Sequence, residues 1–299
     1  MASVLVTGSS GFVGSHLAAL CAASDLKIVG LDLRASGHTD MVCDVKEKAL
    51  VAKILKENGV EKVIHLAAHI DAAESVRKPL KYLRNNALGT IMLLEAMRKS
   101  DSKEIVFVSS AAVYGRQEEF PILENAPLAP VNHYGLSKLL AERSVESYHE
   151  SYGLNYTILR PSNLYGIGQN DAYAGVISRF VDAAIKGTAP VLHGDGSQTR
   201  DFLNVKDMVE ALRAVAMQKG KNATYNVSFG KPVRITELLE TVQRIAGKNI
   251  EPKRGPKRPG DIERSELSSE KFREAYGWKP EVKLEDGIGE LLRHYKTAV

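Results

Sequence analysis

The feature that most constrains this chain is an alternation. From Val4 to Asn163 short apolar runs take turns with segments of helical period: VLVTG (4–8), KIVGLDL (27–33), MVCDV (41–45), KVIHLAA (62–68), EIVFVSS (104–110) and NYTILRP (155–161). Strands that are apolar on both faces must be covered on both faces, and crossover-length helices between them supply the cover. Right-handed crossovers then give an α/β fold, a doubly wound parallel sheet with ligands bound at the carboxyl ends of its strands. After Pro161 glycines, prolines and short elements dominate, with helices expected at 173–187, 206–218, 235–246, 268–276 and 284–295. The expected division is a dinucleotide-binding domain over 1–165 and a smaller mixed α/β substrate-binding domain over 166–299. Part of 202–230, with its strand TYNVSF (224–229), is expected to return to the first domain.

A chain of 299 residues has room for two such lobes. Its 44% hydrophobic and 25% charged residues match ordinary soluble globular composition, and no apolar run approaches a membrane span. The start, MASVLVTG, has neither a basic leader nor a cleavage signature, so a cytoplasmic protein is expected. The net charge of +4 is interspersed, which argues against a nucleic-acid partner; only PKRGPKRP (252–259) concentrates positive charge. That segment reads equally as a loop handling an anion or as a solvated loop. Cys21 and Cys43 lack metal-type spacing and read as small buried hydrophobes, so no metal is expected.

Directly after the first strand comes TGSSGFVGSHLAAL, with Gly8, Gly11 and Gly14 in G-x-x-G-x-x-G spacing. Glycine allows the tight strand-to-helix turn, lets backbone N–H groups approach a pyrophosphate, and lets helix pack closely on strand. Asp32 ends the second strand about 20 residues further on, where a carboxylate can accept from an adenosine ribose and repel a 2′-phosphate. NAD is therefore expected over NADP, with Arg34 either exposed or folded back over the ribose. Asp44 falls near the expected adenine position and reads equally as a capping acid.

In HYGLSK (133–138) Tyr134 and Lys138 are four residues apart on one predicted helix face. Alone, the pair would be a half-buried tyrosine beside a snorkelling lysine. Beside a nicotinamide ring it becomes a general acid/base, because a neighbouring ammonium stabilises the phenolate. Ser109 or Ser110, at the carboxyl end of the fifth strand, can hydrogen-bond a substrate hydroxyl.

The segments TGSSGFVGSHL, HLAA, VSSAAVYG, YGLSK, LRPSNLYG, RDFLNVKD and RPGDI occur in that order over nearly the whole chain. Together they resemble the extended short-chain dehydrogenase/reductases that act on nucleotide sugars, a Rossmann-fold family, and within it most closely the UDP-glucose 4-epimerases. The resemblance implies a catalytic set of Ser110, Tyr134 as base and Lys138 as its partner, with Lys138 also holding the nicotinamide ribose. It places Gly8, Gly11, Phe12, Val13, Gly14, Asp32, Asp44, Val45, Leu66, Ala67, Ala68, Asn86 and Ser109 around NAD. Asn163, Arg200 and Arg258 match positions that hold the substrate diphosphate, which suits an amide and two guanidiniums. Ser265, counted from RPGD, is expected to line the sugar pocket where a tyrosine would exclude N-acetylated sugars.

Two departures bear on the reaction. Ala111 and Ala112 follow Ser110 where dehydratases and decarboxylases of this kind carry an acid, so elimination lacks a base. Ile70 stands where galactose epimerases often have lysine, which leaves the sugar open; His65 and His69 beside it read as structural. The implied function is an NAD-dependent nucleotide-sugar 4-epimerase of the UDP-glucose/UDP-galactose type, working through a transient 4-keto sugar. A reductase or dehydrogenase with exchangeable cofactor shares the same residues, and a non-catalytic dinucleotide sensor would not need them. The resemblance also implies a homodimer pairing the segments near 80–99 and 134–150.

Overall fold

In the computed structural model, which describes residues 3–22, 26–169, 175–257 and 262–297, strand faces follow the period of two seen in the sequence. In β1 (Ser3–Thr7), Val4 and Val6 enter one core while Leu5 enters the core on the opposite face. The same division holds in β5 (Glu104–Val108), where Val106 and Val108 face one way and Ile105 and Phe107 the other. Each strand is therefore buried on both sides, as parallel pairing requires.

The other strands of this sheet are β2 (Lys27–Asp32), β3 (Met41–Val42), β4 (Val60–His65), β6 (Asn155–Pro161) and β10 (Ala223–Val227). Their order is β10-β6-β5-β4-β1-β2-β3 and every pairing is parallel. The order reverses direction at β1 and β4, the switch point at which open α/β sheets leave a crevice. On one face lie α1 (Phe12–Cys21), α8 (Val205–Ala216) and α10 (Glu270–Tyr276), around Leu17, Met208, Leu212 and Phe272. On the other lie α2 (Lys48–Glu57), α5 (Gly89–Arg98) and α6 (His133–Tyr152), around Leu55, Leu93 and Val145.

Residues beyond β6 build a second layer system. A three-stranded sheet, β11-β9-β7, combines Pro232–Arg234, Thr199–Asn204 and Asn163–Tyr165, and a two-stranded one, β12-β8, combines Lys253–Gly255 and Val191–His193. Helices α7 (Val176–Lys186), α9 (Ile235–Ala246) and α11 (Leu284–Lys296) close a separate core around Phe180, Leu238 and Leu291. The chain crosses back through α8, which packs on α1, and β10, which forms the sheet edge beside β6.

Several expected strands end before their apolar runs do. β3 stops at Val42: the Cys43 amide makes the last ladder bond, to Asp32 O, and the Asp44 side chain then turns the chain by accepting from Lys46 N. β4 stops at His65 and β5 at Val108, and beyond both ends the chain runs out over the crevice. Between α4 (Pro79–Tyr82) and α5, residues Leu83–Leu88 form a π-helical segment, a device common near functional sites. The short α3 (Ala72–Arg77) precedes them, capped by the Asp71 side chain. Among the described residues no helix is long and apolar enough to cross a membrane, and no cluster of His, Cys, Asp and Glu could hold a metal ion.

Candidate active site

The carboxyl ends of β1, β2, β4, β5 and β6 open onto one cavity of about 1300 Å³ that continues between the sheet and α7, β8 and β9. Its floor is the glycine turn. Gly8 has φ +78, and a Cβ added there would lie 2.8 Å from Ala67 N; one added to Gly14 would lie 2.2 Å from Gly8 O. The turn feeds α1, whose first turn has no acidic residue and no side-chain cap, so its amides face the cavity without a protein anion. Gly11, Phe12 and Val13 complete this wall.

Asp32 sits at the rim with its carboxylate already oriented. Oδ2 accepts from Ser10 N at 3.0 Å and Oδ1 from Arg34 N at 3.0 Å. Arg34 folds back, its Nε 3.8 Å from Asp32 Oδ1, while staying mostly exposed. Asp44 and Val45 line the same wall. Burial raises the Asp44 carboxyl, but hydrogen bonds and charge from Lys46 outweigh it and hold the group below its usual value.

Leu66, Ala67 and Ala68 extend β4 along the cavity, with Leu66 donating to Thr7 O and Ala67 to Thr7 Oγ1. Behind them runs a buried polar chain that the sequence did not reveal. The Thr90 hydroxyl donates to Asn86 O at 2.6 Å, so it accepts from His65 Nε2 at 3.0 Å. His65 Nδ1 is left to accept from Thr7 Oγ1 at 2.6 Å. Burial, helped by the Lys138 charge, drives the imidazole down to about 3, so it is neutral. Asn86, expected around NAD, stands behind the wall and supports it. Its Oδ1 accepts from His69 N and its Nδ2 donates to His69 O and Ser137 Oγ, fixing the 66–70 strip against α6, while its neighbour Asn85 lines the cavity.

Helix α6 starts where Asn132 accepts from Gly135 N at 2.9 Å, and that cap presents Tyr134 and Lys138 to the cavity on one face. Burial raises the Tyr134 phenol, partly offset by a hydrogen bond with the Ser110 side chain. Lys138 Nζ donates to Val108 O at 2.8 Å and lies 5.0 Å from the Phe107 ring centroid. Burial lowers this amine to about 8, against the upward pull of Glu142. Ser110 caps the turn 111–113, its Oγ accepting from Ala112 N. Ser109 lines the cavity with a buried hydroxyl that has no partner, an orphan that a ligand would satisfy.

Across the cavity, Asn163 donates through Nδ2 to Asp201 O at 3.1 Å, and Arg200 donates through Nη1 to Thr199 O at 2.8 Å. Both line the cavity. Asp201 anchors this wall to β6 and β10, accepting from Ser162 Oγ, Phe229 N and Gly230 N; burial raises its carboxyl to about 6. Arg258 lies outside the described residues. Ser265 corrects its expectation: it is buried beside β9, its amide on Thr199 O, and is not on the cavity wall. Arg179 and His193, which no sequence motif marks, are on that wall. Only the fold shows that α7 and β8 turn them toward the strand ends.

An anion cradle that admits no Cβ, an oriented carboxylate one strand away and an unpartnered hydroxyl beside a Tyr-Lys pair together fit a nicotinamide dinucleotide. Comparison with known proteins agrees. Residues 4–228 match the model of the NAD dependent epimerase/dehydratase family. A putative UDP-glucose 4-epimerase of Methanocaldococcus jannaschii is 38% identical, with 98% of each chain covered. A crystal structure of the UDP-glucose 4-epimerase of Thermotoga maritima with UDP-glucose superposes with a TM-score of 0.94 at 31% identity, covering 99% of each chain. A UDP-N-acetylglucosamine 4-epimerase from Methanobrevibacter ruminantium, in complex with UDP-N-acetylmuramic acid, gives 0.92 at 33% identity, covering 100% of this chain and 99% of that one.

Proposed function

Because the chain belongs to the NAD dependent epimerase/dehydratase family and is an epimerase using NAD, we propose that its substrate is a UDP-hexose and that it inverts the sugar at C4. The observation that carries this reading is the place of the Ser110–Tyr134–Lys138 group between the glycine cradle and the Arg200–Asn163 wall. Bound NAD supplies a hydride acceptor and donor. The Tyr134 phenolate takes the proton of the sugar 4-hydroxyl and later returns it. Ser110, on the same cavity wall as that phenol, holds the reacting oxygen, and the Lys138 ammonium, one helical turn along, offsets the cost that burial puts on the phenolate. Arg200 and Asn163, with Arg258, hold the diphosphate, which leaves the 4-keto sugar free to turn over between hydride departure and return.

Side reactions are limited by what the site lacks. The turn 111–113 carries Ala111, Ala112 and Val113, so no carboxylate follows Ser110 to draw a proton from C5. Leu80, Leu88 and Leu140 are 62%, 40% and 43% exposed on the segments expected to pair, which supports a homodimer through α4, the π-helical segment and α6. The test is incubation of purified protein with UDP-glucose, UDP-galactose, UDP-N-acetylglucosamine and UDP-glucuronate, without added cofactor. Formation of a C4 epimer from at least one supports the reading. Stoichiometric reduction of cofactor with no epimer would replace it with net redox.

A further inference from the structure

Beneath the reacting residues lies a buried ion pair that the mechanism above does not use. Glu142 is on α6, one turn beyond Lys138 and on the same helix face, and is fully buried. Arg160 comes from β6 and grips it at both ends, Nε to Oε1 at 3.0 Å and Nη2 to Oε2 at 2.6 Å. The third guanidinium nitrogen, Nη1, donates to Tyr114 Oη at 2.9 Å, and Tyr114 Oη donates to Asn226 Oδ1 at 2.7 Å. Tyr114 closes the short turn that Ser110 opens. Helix, sheet and turn thus meet at one bidentate contact.

Two charges at this depth carry a large desolvation cost, and an apolar pair of similar volume would serve packing as well or better. Their retention makes sense if the charge and the connection have a use. We propose that Glu142, clamped by Arg160, is a positioning residue: it supplies the fixed negative charge beside the Lys138 ammonium, while Arg160 and Tyr114 hold the Ser110 turn in register with Tyr134. This rests on the reaction assigned above. Lys138 faces Glu142 and Tyr134 from its own helix, His65 from β4, and Val108 O and the Phe107 ring from β5. Among those neighbours Glu142 holds the one carboxylate, and His65 is neutral. Without Glu142, burial acts on Lys138 unopposed, so the ammonium is lost at lower pH and the phenolate loses its counter-charge.

The test uses the NAD-loaded protein in four forms: parent, Glu142→Gln, the double variant Glu142→Leu/Arg160→Met, and Tyr114→Phe. Lys138 is titrated by NMR of carbon-labelled lysine, with its signal assigned by Lys138→Arg, and kcat and KM are measured across pH. In Glu142→Gln, which leaves the Arg160 charge unopposed, the Lys138 titration and the alkaline limb of kcat should move down by about one pH unit; in the double variant, which removes both charges, they should move the same way by less, because the carboxylate is the partner on the Lys138 helix face. The double variant keeps a packed core if the single one folds poorly. Tyr114→Phe should leave the Lys138 titration in place and lower kcat about tenfold, with KM within about threefold, because it loosens only the Ser110 turn. A Lys138 titration in either Glu142 variant that coincides with the parent's overturns the electrostatic role. Parental kcat in Tyr114→Phe overturns the positioning role. If the parent turns over no nucleotide sugar, the assigned reaction falls, yet the NMR titration still decides whether Glu142 sets the charge on Lys138.

Discussion

In the half of the cavity assigned to NAD, the wall is largely main chain. Tight glycine turns, an uncapped helix start and the ends of parallel strands form it, and its side chains, Asp32 and Asp44, are already hydrogen-bonded to backbone amides. In the half assigned to the nucleotide sugar, the contacts come from long side chains on short strands, with Arg200 and Arg179 projecting from β9 and α7. One half is rigid before anything binds, as suits a cofactor kept through the cycle. The other reaches, as suits a ligand that enters, turns and leaves. Tyr134, Ser110 and Lys138 lie where the two halves meet.

A change at that meeting point should have the largest effect. Tyr134→Phe removes the proton acceptor and keeps the ring, so turnover should fall roughly a thousandfold or more, with NAD content unchanged. Activity within about tenfold of the parent would assign the base elsewhere.

The halves themselves separate in the next pair. Arg200→Ala should raise KM about a hundredfold by removing a charge-assisted contact to the diphosphate, and leave bound NAD intact. Gly14→Ala should do the reverse: a Cβ 2.2 Å from Gly8 O forces the cradle apart, so the protein should purify without NAD and melt at lower temperature. Loss of NAD in Arg200→Ala, or its full retention in Gly14→Ala, would break the distinction between a main-chain half and a side-chain half.

Asp32→Ala tests a cofactor-half contact that depends on a side chain. NAD affinity should drop about tenfold and the gap between NAD and NADP should narrow, since the ribose acceptor and the charge repelling a 2′-phosphate go together. The freed Arg34, now without its partner 3.8 Å away, adds to that narrowing. An unchanged ratio of NAD to NADP affinities would make Asp32 a turn-forming acid, bonded only to Ser10 and Arg34 amides.

The same contrast explains what the sequence could and could not disclose. Gly8, Gly11, Gly14 and Asp32 are legible because a tight turn and a strand end are local events, set by residues within a few positions. The doubly wound parallel sheet and the return of β10 to it follow from apolar runs and crossover lengths; the strand order itself comes from the structure. The links from Thr7 to His65, from His65 to Thr90 and from Glu142 to Arg160 join residues 58, 25 and 18 positions apart and leave no spacing to read. In the substrate half even counting fails. Counting from a nearby motif puts Ser265 on the sugar pocket, but a bridge between Arg264 and Thr199 draws it to the back of β9.

The smallest expected effect distinguishes the halves by proton linkage. His65, in the cofactor half, is held down to about 3 from an ordinary 6.5, so the unfolded chain takes up its proton first. The folded state therefore loses stability as pH falls from about 6.5 toward 3. Asp201, in the substrate half, is raised to about 6 from an ordinary 3.8, so the folded state takes up its proton first and gains stability as pH falls from about 6 toward 3.8. Between pH 7 and pH 5 the first effect removes about 2 kcal/mol and the second restores about 1 kcal/mol, leaving a modest net loss. Asp201→Asn cancels the restoring contribution; it keeps the Oδ1 acceptor for Ser162 and Phe229 and sets an amide NH2 against Gly230 N, a loss common to both pH values. Chemical unfolding at the two pH values should show the acid loss growing by about 1 kcal/mol in that variant, with titrations common to both proteins cancelling in the comparison. Equal losses in parent and variant would mean that Asp201 is already ionised at pH 5 and adds nothing to the acid response, which His65 on the other wall would then set without an opposing contribution from it.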